Sequence, residues 1–203
     1  MLFLIRSELM NKPMKLLTLY LFLIFFTLQT SSQADDIRDF QIEGISLGDS
    51  ALNYIAKDKI YKLHWPGSKK FYYFELSGTK KLDSYDTMSL GVKDRDNKYI
   101  IHEVRGFIYY ENKIKDCLSK KMEIVEEIST SFKDNVRKED LGTVKYLGDK
   151  SGKSKVTILN FHFNSGGLIH ISCYDMKDNS WESGLSINIA TQEFYEWNAK
   201  EAF

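Results

Sequence analysis

The chain has 203 residues, 43% of them hydrophobic and 14% aromatic, with only two prolines. That is enough apolar material for a core, which excludes a disordered chain. Lys plus Arg equals Asp plus Glu at 28 each, so no net field draws the chain to nucleic acid or anionic lipid.

The first element is a targeting signal. Arg6, Lys12 and Lys15 precede an apolar run over residues 16–28, broken only by Thr18, Tyr20 and Thr27. A spanning helix needs about 20 apolar residues, whereas the core of a signal peptide runs to about 7–15. Ser32 and Ala34 supply the small-x-small pattern of a signal peptidase site, ahead of Asp35 and Asp36. The expectation is a signal peptide over 1–34, cut after Ala34, and a single α+β domain over 35–203 with no stable membrane span. No cysteine lies near the cut, which excludes a lipid-modified N-terminus. Translation can start at Met1, Met10 or Met14, and Met14 leaves one lysine ahead of the apolar run. Removal of Arg6, Lys12, Lys15 and Glu8 leaves 25 basic and 27 acidic residues, an ordinary soluble surface.

After a short extended lead-in, Ser46 and Asp49 have capping-box spacing, and Leu52 and Ile55 follow. This predicts a helix over 46–57, with a further turn over 57–62, ended by Trp65-Pro66-Gly67. Strands are expected at 71–76, 84–92 and 98–110. The last two form a hairpin about the turn formers Asp94-Arg95-Asp96-Asn97. Ile114, Cys117, Leu118, Val125, Ile128 and Phe132 recur at spacings of three and four. They predict an amphipathic helix of about five turns, capped by Asn112 and lying on a sheet. A second β region over 143–189 contains a hairpin, 155–164 with 168–175, around Ser165-Gly166-Gly167, and a short strand at 185–189. Thr191 caps a final helix carrying Phe194, Trp197 and Phe203. Strands joined by tight turns are antiparallel, so the fold class is α+β, an antiparallel sheet with helices packed on one face. The order also reads as two similar halves, each a helix followed by strands.

Cys117 falls on the apolar face of the long helix, and Cys173 on the same side of its strand as Ile169 and Ile171. In the oxidising compartment implied by export, a Cys117–Cys173 disulfide is expected. Its long loop is worth about 3–5 kcal/mol through the unfolded state. No C-x-x-C occurs, so thiol redox catalysis is not expected.

Of the four histidines, His162 and His170 are the candidate catalytic pair. With a three-residue loop at Ser165-Gly166-Gly167, Phe163 pairs with Ile169, Phe161 with Ile171 and Leu159 with Cys173. The other face then sets His162 opposite His170 and Asn160 opposite Ser172. Two imidazoles about 5 Å apart at Cβ could share a metal, but a catalytic zinc takes three protein ligands and no third has diagnostic spacing. The expectation is therefore no metal and no cofactor, with both histidines more simply polar residues on a solvated face. Gly148-Asp149-Lys150-Ser151-Gly152-Lys153-Ser154 has three residues between its glycines, where a phosphate loop has four. A strand rather than a helix follows, so it reads as a turn. Asp94-Arg95-Asp96-Asn97 lacks the glycine and glutamate of a calcium loop. No G-x-S-x-G occurs. The run Phe71-Tyr72-Tyr73-Phe74 reads as core and sheet surface rather than as a sugar platform.

Residues 40–50, F-Q-I-E-G-I-S-L-G-D-S, resemble the opening of a group of small exported proteins from marine bacteria. Asp96-Asn97-Lys98-Tyr99-Ile100-Ile101, residues 149–154, Cys173-Tyr174-Asp175 and Thr191-Gln192-Glu193-Phe194 with Trp197 are similar to that group too. The resemblance covers nearly all of 35–203. It implies export and one compact domain, and carries no activity and no site residue. A weaker likeness in fold is to outer-membrane assembly factors and β-lactamase inhibitor proteins, which also place helices on antiparallel sheets; it implies nothing about function.

Export, balanced charge and the lack of a catalytic constellation lead to one expectation. The protein is a periplasmic or secreted non-enzymatic binding protein linked to envelope assembly, its partner an unidentified protein or small molecule, with no nucleic acid. The competing reading is a small periplasmic hydrolase using His162 and His170.

Overall fold

The computed structural model describes residues 36–65, 67–76, 82–111, 113–177 and 182–201. The proposed signal peptide and its cut, Pro66, the Asn112 cap and Phe203 lie outside the described residues.

Eight strands form one antiparallel sheet: β1 (Leu63–Trp65), β2 (Ser68–Glu75), β3 (Thr87–Lys93), β4 (Ile101–Tyr109), β5 (Val136–Lys145), β6 (Lys155–Phe163), β7 (Leu168–Asp175) and β8 (Gly184–Ala190). Their order is β1-β2-β3-β4-β8-β7-β6-β5. Each run of four is thus a meander, and the two meanders meet along their last strands, where Glu103 pairs with Ala190 and Tyr109 with Gly184. Two α-helices are described, α1 (Ile114–Ser131) between β4 and β5 and α2 (Gln192–Glu201) after β8. The α+β antiparallel class stands.

Large apolar residues alternate with small or polar ones along the central strands. Met88, Leu90 and Val92 of β3 and Leu185, Ile187 and Ile189 of β8 are buried in one core. Thr87, Ser89 and Gly91, and Gly184, Ser186 and Asn188, point the other way. The apolar face is covered by α1, which lies against β7 and β8 and buries Cys117, Val125 and Ile128. The sulfurs of Cys117 and Cys173 are bonded, with Cα atoms 6.0 Å apart.

Three expectations need correction. The helices do not share a face. α2 packs Phe194 and Trp197 on Phe71 and Ala190, and Phe194 lies over Gly91, opposite the side taken by α1. Thr191 caps α2 as expected, its Oγ1 accepting from the Phe194 N–H at 3.2 Å.

Residues 46–57 are not a helix. Half of the capping box forms, the Ser46 N–H donating to Asp49 Oδ2 at 3.2 Å. Gly44 and Gly48, however, stand at φ +74° and +88°, conformations that a right-handed helix cannot use. The backbone instead bonds to the start of β4, through Gly48 N–H to the Ile101 carbonyl and Ala51 N–H to the Tyr99 carbonyl. Only single 3-10 turns remain, at Ile37–Asp39, Ala51–Asn53 and Lys57–Lys59.

The β6–β7 register is displaced by two residues from the expected one. Phe161 pairs with Ile169, Leu159 with Ile171, and Asn160 rather than His162 with His170. Gly166 and Gly167 both take φ near +95° (+93° and +98°), and the Phe163 N–H bonds the Gly167 carbonyl, which lengthens the loop. A shift of two keeps every side chain on its expected face.

Candidate functional site

The face opposite α1 carries a polar strip across four adjacent strands, β4, β8, β7 and β6. β4 contributes Glu103 and Arg105, β8 Ser186 and Asn188, β7 His170 and β6 Asn160, neighbours by register. Small residues beside them leave the strip uncovered by side chains from the sheet itself. The result is a cavity of about 970 Å³.

The floor of the cavity is an ion pair. Arg105 Nη2 donates to Glu103 Oε1 at 2.8 Å, and Asn188 Nδ2 donates to the same oxygen at 2.7 Å. The Glu103 side chain is 1% exposed and that of Arg105 41%. Glu103 is thus a buried anchor, and Arg105 reaches from it into the cavity. The carboxylate raises the Arg105 pKa above its ordinary value, so the guanidinium is charged at any physiological pH. Glu103 Oε2 and Asn188 Oδ1 are buried and have no hydrogen-bond partner among the described residues. Leaving such an acceptor unmet costs about 1–3 kcal/mol.

Aromatic rings flank the strip on two sides. On the α2 side, Trp65 packs on Tyr73 with centroids 4.7 Å apart, and Phe194 closes behind Trp65 at 5.6 Å. On the other side, Phe107 meets Tyr109 at 5.3 Å and Tyr174 at 6.3 Å.

The two candidate histidines are engaged separately. His170 lines the cavity, its Nδ1 at 2.8 Å from Asn160 Oδ1. Burial, with the charges of Arg105 and Lys121, pushes its pKa down to about 4, so the ring is neutral at neutral pH. His162 does not line the cavity; its Nε2 is 2.7 Å from Glu139 Oε2 of the edge strand β5, which holds the Glu139 carboxyl below its usual range. Of the other two histidines, His64 is exposed and also lines the cavity, from β1, while His102 does not line it and has its Nδ1 3.2 Å from Thr191 Oγ1.

Among the described residues, no three His, Cys, Asp or Glu side chains group as metal ligands do. The Gly148–Ser154 segment is a turn between β5 and β6. Asp149 occupies its N–H groups, accepting from Ser151 N at 2.8 Å and Ser154 N at 2.9 Å. Hydrogen bonds from the Ser154 and Ser151 side chains, with these backbone bonds, hold the Asp149 carboxyl far below the usual range. No helix among the described residues is long and apolar enough to cross a membrane.

Glu103 and Arg105 were not singled out from the sequence. The signal was present in I-H-E-V-R-G-F, where two opposite charges flank a valine at strand spacing, in a strand otherwise apolar enough to be central. No protein family model, curated protein or solved structure matches this chain.

Proposed function

We propose that the protein is an exported, non-enzymatic binding protein that takes its ligand in the cavity on the polar face of the sheet. One observation carries the reading: a fully buried Glu103 holds a half-exposed Arg105 at the floor of a cavity of about 970 Å³. Sites for small ligands are cavities of about 300–1,000 Å³ with a few converging polar groups among apolar and aromatic side chains. Export is supported by the apolar run over 16–28, the small residues at Ser32 and Ala34, and the Cys117–Cys173 disulfide, a bond that persists in oxidising compartments. A periplasmic or secreted location, and a role linked to envelope assembly, go with that reading.

The hydrolase reading needs both imidazoles in one cleft beside a carboxylate. His170 faces the cavity with an amide for a partner, while His162 is bonded to Glu139 outside it.

The test is to titrate fractions of a native envelope extract into isotope-labelled protein and follow backbone resonances. Shifts concentrated on β4, β7 and β8 around Arg105, His170 and Asn188 are expected. Shifts confined to other surfaces, or none with any fraction, would overturn the reading.

A further inference from the structure

The cavity also constrains the chemistry of what it holds, and the following rests on its being the ligand site. We infer that the ligand is a neutral polyhydroxylated molecule, a sugar or short oligosaccharide, bound across the Glu103–Arg105 pair between the two groups of aromatic rings.

The first argument is charge. The two ions of the floor are paired at 2.8 Å, and the ring of His170 adds no charge at neutral pH. A cationic ligand that took Glu103 would leave Arg105 unpaired, and an anionic ligand that took Arg105 would strip the buried Glu103. Separating a pair with one fully buried member is costly. Glu75 and Glu182 also line the cavity, but both are exposed. Screened by salt, they do little either to repel an anion or to draw a cation.

The second argument is the kind of polar group left over. Arg105 uses one N–H toward Glu103 and has further donors on the same guanidinium. Glu103 Oε2 and Asn188 Oδ1 are buried out of a ligand's reach, so a ligand meets Arg105 as donor and the exposed carboxylates of Glu75 and Glu182 as acceptors. An ammonium only donates and a carboxylate only accepts. A hydroxyl does both, so a row of hydroxyls can accept from Arg105 and donate to those carboxylates in turn.

The third argument is shape. The Trp65–Tyr73 and Phe107–Tyr109 pairs line the cavity on two sides of the polar strip. A pyranose has the matching character, with hydroxyls around its rim and apolar C–H faces. The volume is at the upper end for a small-ligand site, which favours more than one sugar ring.

The experiment is an array of immobilised neutral, acidic and amino-sugar glycans probed with residues 35–203, followed by titration of each hit by tryptophan emission. Neutral glycans are expected to bind, with affinity changing less than about twofold between about 50 and 500 mM salt. Trp65→Leu and Arg105→Ala are each expected to weaken binding at least about tenfold. Glu103→Gln keeps the shape and so serves as the second variant should Arg105→Ala fail to fold; it too is expected to bind more weakly. Binding only of charged glycans, a steep loss with salt, or binding indifferent to Trp65 and Glu103 would overturn the inference. If no glycan binds, the inference falls. Titration with short basic peptides and aromatic carboxylic acids then separates the causes. Shifts at Arg105 and His170 would leave the cavity a ligand site of another class, and none would remove that reading as well.

Discussion

His170 ties the cavity to acid stability. Its pKa is about 4 in the folded protein, against about 6.5 for a free imidazole. Between these values the unfolded chain binds a proton that the folded chain refuses. The stabilisation is therefore complete above about pH 6.5 and is lost as the pH falls toward 4. His102, also lowered by burial, acts in the same direction. Urea unfolding at a series of pH values is expected to lose about 3 kcal/mol across that window on account of His170. His170→Gln should flatten the slope, and an unchanged slope would exclude His170 as its source. At the floor, Arg105→Ala leaves a buried carboxylate without its cation and is expected to cost about 2–4 kcal/mol in the same assay. Glu103→Gln, which removes the buried charge instead, should cost less. A larger loss for Glu103→Gln would contradict the picture of Glu103 as anchor. His162 and His170 were legible as residues of one face because face follows from alternation alone. Their partners were not, because pairing depends on loop conformation at Gly166 and Gly167.

The long helix was readable because its burial pattern has the helical period, from Cys117 through Val125 to Ile128. The disulfide followed from the faces of α1 and β7. Cys117→Ser with Cys173→Ser is expected to lower stability by about 4 kcal/mol, given a separation of 56 residues, measured as the denaturant midpoint of the double variant against the oxidised protein. Lys121 breaks the pattern, being 4% exposed on the covered face of the same helix, where burial lowers the pKa of its ammonium. Residues 46–57 misled because capping spacing and apolar periodicity are local, while Gly48 is committed to pairing with Ile101 far along the chain. The start of β5 was missed for the opposite reason. V-R-K-E-D-L-G-T-V-K is an edge strand with one neighbour and most of its side chains in solvent, so no apolar alternation marks it. The seat of α2 depends on a missing side chain. A Cβ at Gly91 would lie 2.8 Å from Glu103 Cβ and 3.0 Å from Phe194 Cε2. Gly91→Ala is expected to cost about 1–3 kcal/mol and to change the emission of Trp65 and Trp197, whose rings are 5.2 Å apart. A full loss of stability with unchanged emission would place the strain elsewhere.

For the whole molecule, the compartment is the first thing to measure. Intact mass of the protein from its native cell is expected to lack the first 34 residues and to fall 2 Da short of the reduced mass, one disulfide. A full-length mass would remove export from the account. The α+β class was legible because six of the eight strands, β2, β3, β4, β6, β7 and β8, carry clear apolar, aromatic or turn signals of their own or lie within a hairpin. The cavity was not, because it arises only where β4 and β8 come together and a helix at the end of the chain walls one side. Strand order is a long-range property, and no residue near β4 announces that its second neighbour is β8.

That seam sets the timetable of folding. β4 is finished early in synthesis, yet the strand that completes its hydrogen bonding is the last to be made. Until residues 184–190 emerge, β4 and β7 are both open edges, able to pair with any passing strand. Ordering them requires closing nearly half of the chain into a loop, a slow step. If the chain is exported as proposed, the delay is an advantage, since β4 and β8 cannot pair before residues 184–190 are made.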